Sequence, residues 1–126
     1  MKHSILIVDD DKLILNTLEK RFSSFDVSVK TARTAEETLE ILKSFTPELV
    51  LLDLLLTTED GSMQILEYLK GQPGLADVPV VILTNLDKPD LREAFLQKGV
   101  KEFLAKGALS LDEIYNHAMS YLEPSK

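Results

Sequence analysis

Five polar residues of this sequence stand at the ends of short apolar runs, and their types suit the chemistry of phosphoryl groups. They are Asp9 and Asp10 after "SILIV", Asp53 at the end of "ELVLLD", Thr84 at the end of "VPVVILT" and Lys106 at the end of "EFLAK". Carboxylate oxygens without neighbouring His or Cys are the ligands that Mg²⁺ and similar hard cations prefer. A hydroxyl and an ammonium can hold phosphoryl oxygens, and an aspartate carboxylate can accept the group itself. The set therefore has the parts needed for phosphoryl transfer to a carboxylate.

Each of these residues also has a purely structural explanation. Asp9, Asp10 and the adjacent Asp11 could simply begin a helix, because carboxylates stabilise the positive end of the helix dipole. A threonine is common in strands, and a lysine can protect an edge strand from aggregation. Asp53 is harder to explain in this way, since it interrupts "LVLLDLLL", where a buried unpaired charge is costly. The joint placement of the residues, rather than any one of them, favours a functional site.

The elements that would position these residues alternate along the chain. Apolar runs typical of strands occupy residues 4–8, 27–32, 48–53, 78–84 and 102–106. The segments between them have the apolar spacing of amphipathic helices. Alternating strands and helices predict a parallel sheet with right-handed crossovers and helices on both faces. We therefore predict an α/β fold of three layers, a doubly wound, flavodoxin-like (βα)₅ domain whose five-stranded parallel sheet has the strand order 2-1-3-4-5.

In such a sheet, ligands bind outside the carboxyl ends of the strands, where the strand order reverses. The reversal lies between the first and third strands, which end in Asp9 and Asp53. The second strand ends near Thr31 and Ala32 without a charged group, and the predicted order makes it an edge strand. The candidate site is therefore expected at the carboxyl edge of the first, third, fourth and fifth strands.

Two helix boundaries carry sequence signals. Ser110, followed three residues later by Glu113, has the form of a capping box. Gly99 stands where a helix would end on a residue with left-handed backbone. We expect one domain spanning residues 1–126, with residues 121–126 as a flexible tail.

Composition argues against several classes of function. The formal net charge of −7 disfavours direct nucleic-acid binding, which uses clustered Lys and Arg. The sequence contains no Cys, which fits a reducing compartment, and no apolar run long enough to span a membrane or to form a signal peptide. We therefore expect a cytoplasmic protein without membrane insertion.

Four segments resemble the receiver domains of two-component response regulators, and the resemblance covers essentially the whole chain. The segments are "ILIVDDD", "LVLLDLLLTTEDG", "VPVVILTN" and "VKEFLAKG". The resemblance implies a signalling phosphoacceptor domain that catalyses only its own phosphorylation and dephosphorylation. A sensor histidine kinase or a phosphotransfer protein would supply the phosphoryl group to Asp53. Mg²⁺ or Mn²⁺ would be bound by Asp9, Asp10, Asp53 and the backbone carbonyl of Leu55.

The same resemblance implies a conformational switch. Thr84 would hydrogen-bond the phosphoryl group, Lys106 would pair with it, and Phe103 would change rotamer together with Thr84. The fourth helix, fifth strand and fifth helix, at residues 87–121, would then present an altered face to an output protein or domain. Phosphorylation of such a domain also admits a homodimer.

The sequence departs from the family pattern around the predicted pocket. Thr57 and Gly107 replace prolines that are usual in the family, so a trans Lys106–Gly107 bond or an altered loop is expected. Leu55 and Leu86 occupy the two variable positions that flank the pocket. Because apolar side chains offer no group to orient an attacking water molecule, the sequence predicts slow self-dephosphorylation.

The strongest competing prediction is a phosphohydrolase of the haloacid-dehalogenase type. Its Asp-x-Asp motif would be Asp9 and Asp11, assisted by Thr84 and Lys106. Leu13 does not fit the position after that motif, and no suitable acidic pair follows the lysine. A receiver-like interaction module that cannot be phosphorylated is disfavoured because every acidic residue is present. A nucleotide-binding domain lacks both glycine-rich phosphate motifs.

Overall fold

Strands and helices alternate along the part of the chain that the computed structural model describes, which is residues 3–23, 27–54, 61–84 and 89–122. The strands are β1 His3–Val8, β2 Val27–Ala32, β3 Leu49–Asp53, β4 Val80–Thr84 and β5 Glu102–Ala105. The helices are α1 Lys12–Phe22, α2 Ala35–Leu42, α3 Gly61–Gly71, α4 Pro89–Gln97 and α5 Leu111–Leu122. Each predicted strand is found at or within two residues of its expected bounds.

The five strands form one parallel sheet in the order β2-β1-β3-β4-β5. The register pairs Val8 of β1 with Ala32 of β2 and with Leu52 of β3, so these strands end at the same level. At the other side of β3, Asp53 lies opposite Leu83, and Thr84 of β4 lies opposite Ala105. The predicted flavodoxin-like order is confirmed, and the carboxyl ends of the strands meet along one edge.

Two apolar layers cover the two faces of the sheet. Leu6 and Val8 point into the layer formed with α2, α3 and α4, whereas Ile5 and Ile7 point into the layer formed with α1 and α5. Because side chains alternate along a strand, a strand covered on both faces must be apolar throughout. This requirement explains the continuous apolar runs of β1, β3 and β4, and it confirms the three-layer architecture.

Helix ends follow the side chains that can satisfy their free backbone groups. The capping box predicted for α5 is present, since Glu113 N donates to Ser110 Oγ at 3.1 Å and Ser110 N donates to Glu113 Oε1 at 2.9 Å. Gly99 has a φ of 100°, the left-handed conformation expected after α4. The described residues contain no cis peptide bond, so the Lys106–Gly107 bond is trans as expected.

The last helix is longer than the sequence suggested. Tyr121 and Leu122, which were assigned to a tail at residues 121–126, form the last turn of α5. Leu122 is only 3% exposed, because it continues the apolar stripe of Ile114 and Ala118 against the sheet. Tyr121 and Leu122 therefore do not belong to the predicted tail, and its remaining residues, 123–126, lie outside the described residues. Among the described residues, none of the helices combines the length and the apolar character needed to cross a membrane.

Candidate metal and phosphoacceptor site

Three carboxylates meet at the carboxyl edge of the sheet. Asp9 follows β1, Asp10 begins the connection to α1, and Asp53 ends β3. One carboxylate oxygen of each lies within 4.8 Å of the others, and we call these three residues the acidic cluster. Asp9 and Asp53 are buried, whereas Asp10 is exposed. The structure thus brings together the three side chains that the sequence analysis proposed as metal ligands.

Lys106 reaches the acidic cluster from the turn that follows β5. Its Nζ lies 2.6 Å from Asp9 Oδ2 and 3.4 Å from Asp53 Oδ1, and its side chain is 13% exposed. Burial lowers the pKa of the ammonium, but its close contact with Asp9 and the charges of Asp53 and Asp9 raise the pKa more. The net result is a pKa above the ordinary lysine value, so Lys106 is fully charged at neutral pH.

Asp9 Oδ2 is unusual among the buried side-chain oxygens. Among the described residues, Asp9 Oδ2 is the one buried polar side-chain atom that receives no hydrogen bond of normal angular geometry. Its contact with Lys106 is therefore a close ion pair rather than a well-aligned hydrogen bond. Three carboxylates facing one ammonium leave excess negative charge, and hard oxygen donors are what Mg²⁺ or Mn²⁺ requires. The residues present fit a small divalent cation.

Asp11 lies outside the acidic cluster. Its carboxylate caps α1, accepting from Leu13 N at 3.0 Å and from Ile14 N at 3.3 Å. Its backbone N–H donates to Asp9 Oδ1 at 2.9 Å, which fixes the loop between them. A phosphohydrolase would need the Asp11 carboxylate as a catalytic acid beside Asp9. This alternative is not favoured, because the carboxylate is engaged as a helix cap.

Thr84 and Phe103 occupy different surroundings. Thr84 is buried at the end of β4, where its carbonyl accepts from Lys106 N at 3.1 Å. Phe103 is half-buried in β5 and packs edge-to-face against Phe95 of α4, with ring centroids 6.5 Å apart. The Arg92 guanidinium lies 5.7 Å from the centre of the Phe103 ring. Phe103 thus connects β5 to α4 rather than forming part of the acidic cluster.

Leu55, Leu86 and Thr57 lie outside the described residues. The carbonyl ligand and the two apolar positions beside the pocket therefore remain predictions.

Two residues at the site were missed by the sequence analysis. Ser62 is fully buried at the start of α3, and its hydroxyl lies 2.5 Å from the carbonyl oxygen of Asp53 and 2.9 Å from that of Leu54. Arg33 follows β2, and its Nη2 donates to the backbone carbonyl of Asp10 at 3.2 Å. Examining the residue after each strand, rather than the last residue of each strand, would have identified Arg33. No sequence signal distinguishes Ser62 from an ordinary serine near a helix start.

The chain is similar to response regulators in sequence and in structure. A family model described as the response regulator receiver domain matches residues 5–118. Response regulator MprA of Mycobacterium tuberculosis is 29% identical over 126 residues, which are 100% of this chain and 53% of that protein. Transcriptional regulatory protein GlrR of Escherichia coli K12 is 36% identical over 121 residues, which are 96% of this chain and 26% of that protein.

A solved structure extends this similarity to three dimensions. The Mn²⁺-bound form of response regulator Rcp1 has a TM-score of 0.79 and 25% identity, covering 98% of this chain and 97% of that chain. The curated relatives are longer, since this chain spans about half of MprA and about a quarter of GlrR. The family match, together with the acidic cluster at the carboxyl ends of β1 and β3, shows that the chain belongs to the response regulator receiver domains.

Proposed function

We propose that this chain is the phosphoacceptor of a two-component system and that Asp53 accepts a phosphoryl group from a histidine kinase or a phosphotransfer protein. The observation that carries the proposal is the acidic cluster, in which one carboxylate oxygen of each residue lies within 4.8 Å of the others, beside Lys106. The proposed ligands of Mg²⁺ or Mn²⁺ are Asp9, Asp10 and Asp53, with the carbonyl of Leu55. The Mn²⁺-bound structure of the relative Rcp1 supports this choice of ion.

The chemistry follows from the position of Asp53. A carboxylate oxygen of Asp53 attacks the phosphorus of a phosphohistidine in line, the P–N bond breaks, and the imidazole leaves with the electron pair. A divalent cation, when bound, neutralises charge on the phosphoryl oxygens. Lys106 supplies a second positive charge 3.4 Å from Asp53 Oδ1. Buried charges of this kind need no rearrangement as negative charge develops, which is why they lower the barrier.

The proposed output is a change at the face formed by α4, β5 and α5. A phosphoryl group on Asp53 would attract the Thr84 hydroxyl, and Phe103 would move into the space that Thr84 leaves. Phe103 already contacts Phe95 of α4, so its movement would be transmitted to that helix. We place the binding site for an output protein or domain, or for a second phosphorylated copy, within residues 87–121.

The decisive test is mass spectrometry after incubation with acetyl phosphate and Mg²⁺. The wild-type chain should gain one phosphoryl group, and Asp53→Asn should gain none. Asp11→Asn is the matched control, because Asp11 is adjacent to the acidic cluster yet caps α1. This variant should be labelled like the wild type. Labelling that persists in Asp53→Asn would overturn the proposal.

We also propose a long-lived phosphorylated state. Leu55 and Leu86 offer no polar group that could orient water toward the phosphoryl group. The phosphorylated chain should therefore outlast seconds in Mg²⁺, and Leu55→Asn or Leu86→Glu should shorten its lifetime. Loss of label from the wild-type chain within seconds would contradict this prediction.

A further inference from the structure

Arg33 makes a contact at the acidic cluster that the family resemblance does not assign to it. The residue stands one position after β2, and its Nη2 donates to the backbone carbonyl of Asp10 at 3.2 Å. Among the described residues, the guanidinium of Arg33 makes this one hydrogen bond. The contact joins the end of β2 to the loop that carries two of the proposed metal ligands.

The backbone of Arg33 is held in place by hydrogen bonds at the start of α2. Its backbone N–H donates to Glu37 Oε1 at 2.7 Å, and Glu37 N donates to the Thr34 hydroxyl at 3.0 Å. Thr34 is the N-cap of α2, so the start of this helix fixes the backbone of Arg33. The guanidinium therefore reaches Asp10 from an anchored position.

Asp10 is held far less firmly than its neighbours. Asp9 N donates to Ala32 O at 3.0 Å, and the Asp9 carboxylate receives the Asp11 N–H at 2.9 Å. The Asp10 carboxylate is exposed and receives no hydrogen bond from the described residues. Its orientation toward Asp9 therefore depends on the peptide that follows it, which is where Arg33 binds.

We propose that Arg33 is a positioning residue that holds the Asp10 peptide so that the Asp10 carboxylate faces the divalent cation. The proposal depends on the cation site proposed above. The proposal also predicts the direction in which the affinity for the cation changes, because the positioning by Arg33 and the positive charge of Arg33 have opposite effects on that affinity. A guanidinium near the site repels a divalent cation, so its removal would tighten binding if charge dominated. If positioning dominates, removal weakens binding.

The test is the dissociation constant of Mn²⁺, measured from the electron paramagnetic resonance signal of the free ion. Partners that orient metal ligands typically contribute about 10- to 100-fold in affinity, and an exposed contact belongs at the lower end. Arg33→Ala should therefore bind Mn²⁺ about tenfold more weakly than the wild type. Arg33→Lys keeps one donor at similar reach and should recover most of this loss. Unchanged or tighter binding in Arg33→Ala, or no recovery in Arg33→Lys, would overturn the proposal.

Lys30→Ala is the matched control for charge. Lys30 is an exposed residue of β2 that also carries one positive charge, and it lies opposite Leu6, two residues before the end of β1. This variant should bind Mn²⁺ as the wild type does or slightly more tightly, and an equal loss in both variants would contradict a positioning role.

Asp53→Asn separates the two proposals. If the wild type binds no Mn²⁺, or Asp53→Asn binds it equally well, the cation site itself is wrong.

Discussion

At the scale of single residues, the ion pairs of Lys106 determine the charge balance of the site. The ammonium lies nearer to Asp9, at 2.6 Å, than to the proposed phosphoacceptor Asp53, at 3.4 Å. Asp9 is only 1% exposed, so its charge has little access to water. In the absence of a cation, the ammonium of Lys106 offsets part of the cost of burying both carboxylates.

The first prediction concerns the removal of this ammonium. Lys106→Met should lower the free energy of unfolding by about 3 kcal/mol in the presence of a chelator, because the buried carboxylate of Asp9 loses its ion-pair partner. Mg²⁺ should restore part of the loss, so the stabilisation by Mg²⁺ should exceed that of the wild type. Urea unfolding with and without Mg²⁺ measures both quantities. Lys101→Met, at an exposed lysine next to β5, is the control and should be nearly neutral.

The second prediction concerns the hydroxyl of Ser62. Its oxygen contacts the carbonyl oxygens of Asp53 and Leu54 in a fully buried position. Ser62→Ala should cost about 1 to 2 kcal/mol of unfolding free energy, because the buried carbonyls lose a donor. Ser120→Ala removes an exposed hydroxyl that also bonds a carbonyl, and it should change stability little. Equal effects of the two substitutions in chemical denaturation would show that the buried contact is not special.

Site residues at the ends of strands could be predicted from the sequence, whereas residues whose side chains reach the site from other segments could not. Asp9, Asp53 and Lys106 were found because parallel strands end at a common edge. The contact of Arg33 with Asp10 depends on side-chain conformation across two strands, and that of Ser62 depends on the path of the chain after β3. Neither dependence leaves a periodic signal in the sequence.

At the scale of elements, α5 is joined to β5 by a polar cluster beside its apolar stripe. His117 Nδ1 lies 3.1 Å from Glu102 Oε1. Burial raises the pKa of the Tyr121 phenol, and the charge of Glu102 and a hydrogen bond to it raise the pKa further.

The sequence predicted the start of α5 correctly from its capping box. The predicted tail at residues 121–126 wrongly included Tyr121 and Leu122, which form the last turn of α5 because the apolar stripe continues through Leu122.

The third prediction is the pH dependence that follows from Tyr121. A pKa above 10.0 in the folded state means that folding favours the protonated phenol. This stabilisation is complete below pH 10.0 and is lost as the pH rises through the folded-state pKa. Tyr121→Phe should therefore lose less stability than the wild type when the pH is raised above 10, as measured by denaturation at several pH values. Glu102→Gln should reduce the loss in part, and identical pH profiles for all three proteins would refute the assignment.

At the scale of the whole molecule, the site depends on the pairing of the strands into one sheet. The acidic cluster and Lys106 lie at the carboxyl ends of β1, β3 and β5, and the pairing of the strands brings them to one edge. The parallel sheet could be predicted because apolar runs covered on both faces are distinctive, and the flavodoxin-like order because it places the second strand, which has no charged end, at an edge. The closeness of Lys106 to Asp9 could not, because it depends on how the turn after β5 directs the lysine side chain.

The fourth prediction follows from binding linkage. A cation that binds only the folded chain stabilises it by about 2.7 kcal/mol at a hundred times its dissociation constant. For a domain of this size, the melting temperature should rise by roughly 10 °C. The Mg²⁺-dependent part of this rise should disappear in Asp53→Asn, even if that variant has a different melting temperature without Mg²⁺. A rise that survives the substitution would mean that Mg²⁺ binds elsewhere.

The separation of Lys106 from the acidic cluster along the chain matters during synthesis. A ribosome completes β1 and β3 long before it adds the residues that follow β5. Until then, Lys106 is not available to offset the charges of Asp9 and Asp53, and ions from the cell can take its place. The residue that follows the last strand therefore supplies a cation of the protein's own, and part of the negative charge of the site is offset from within the chain once translation has passed residue 106.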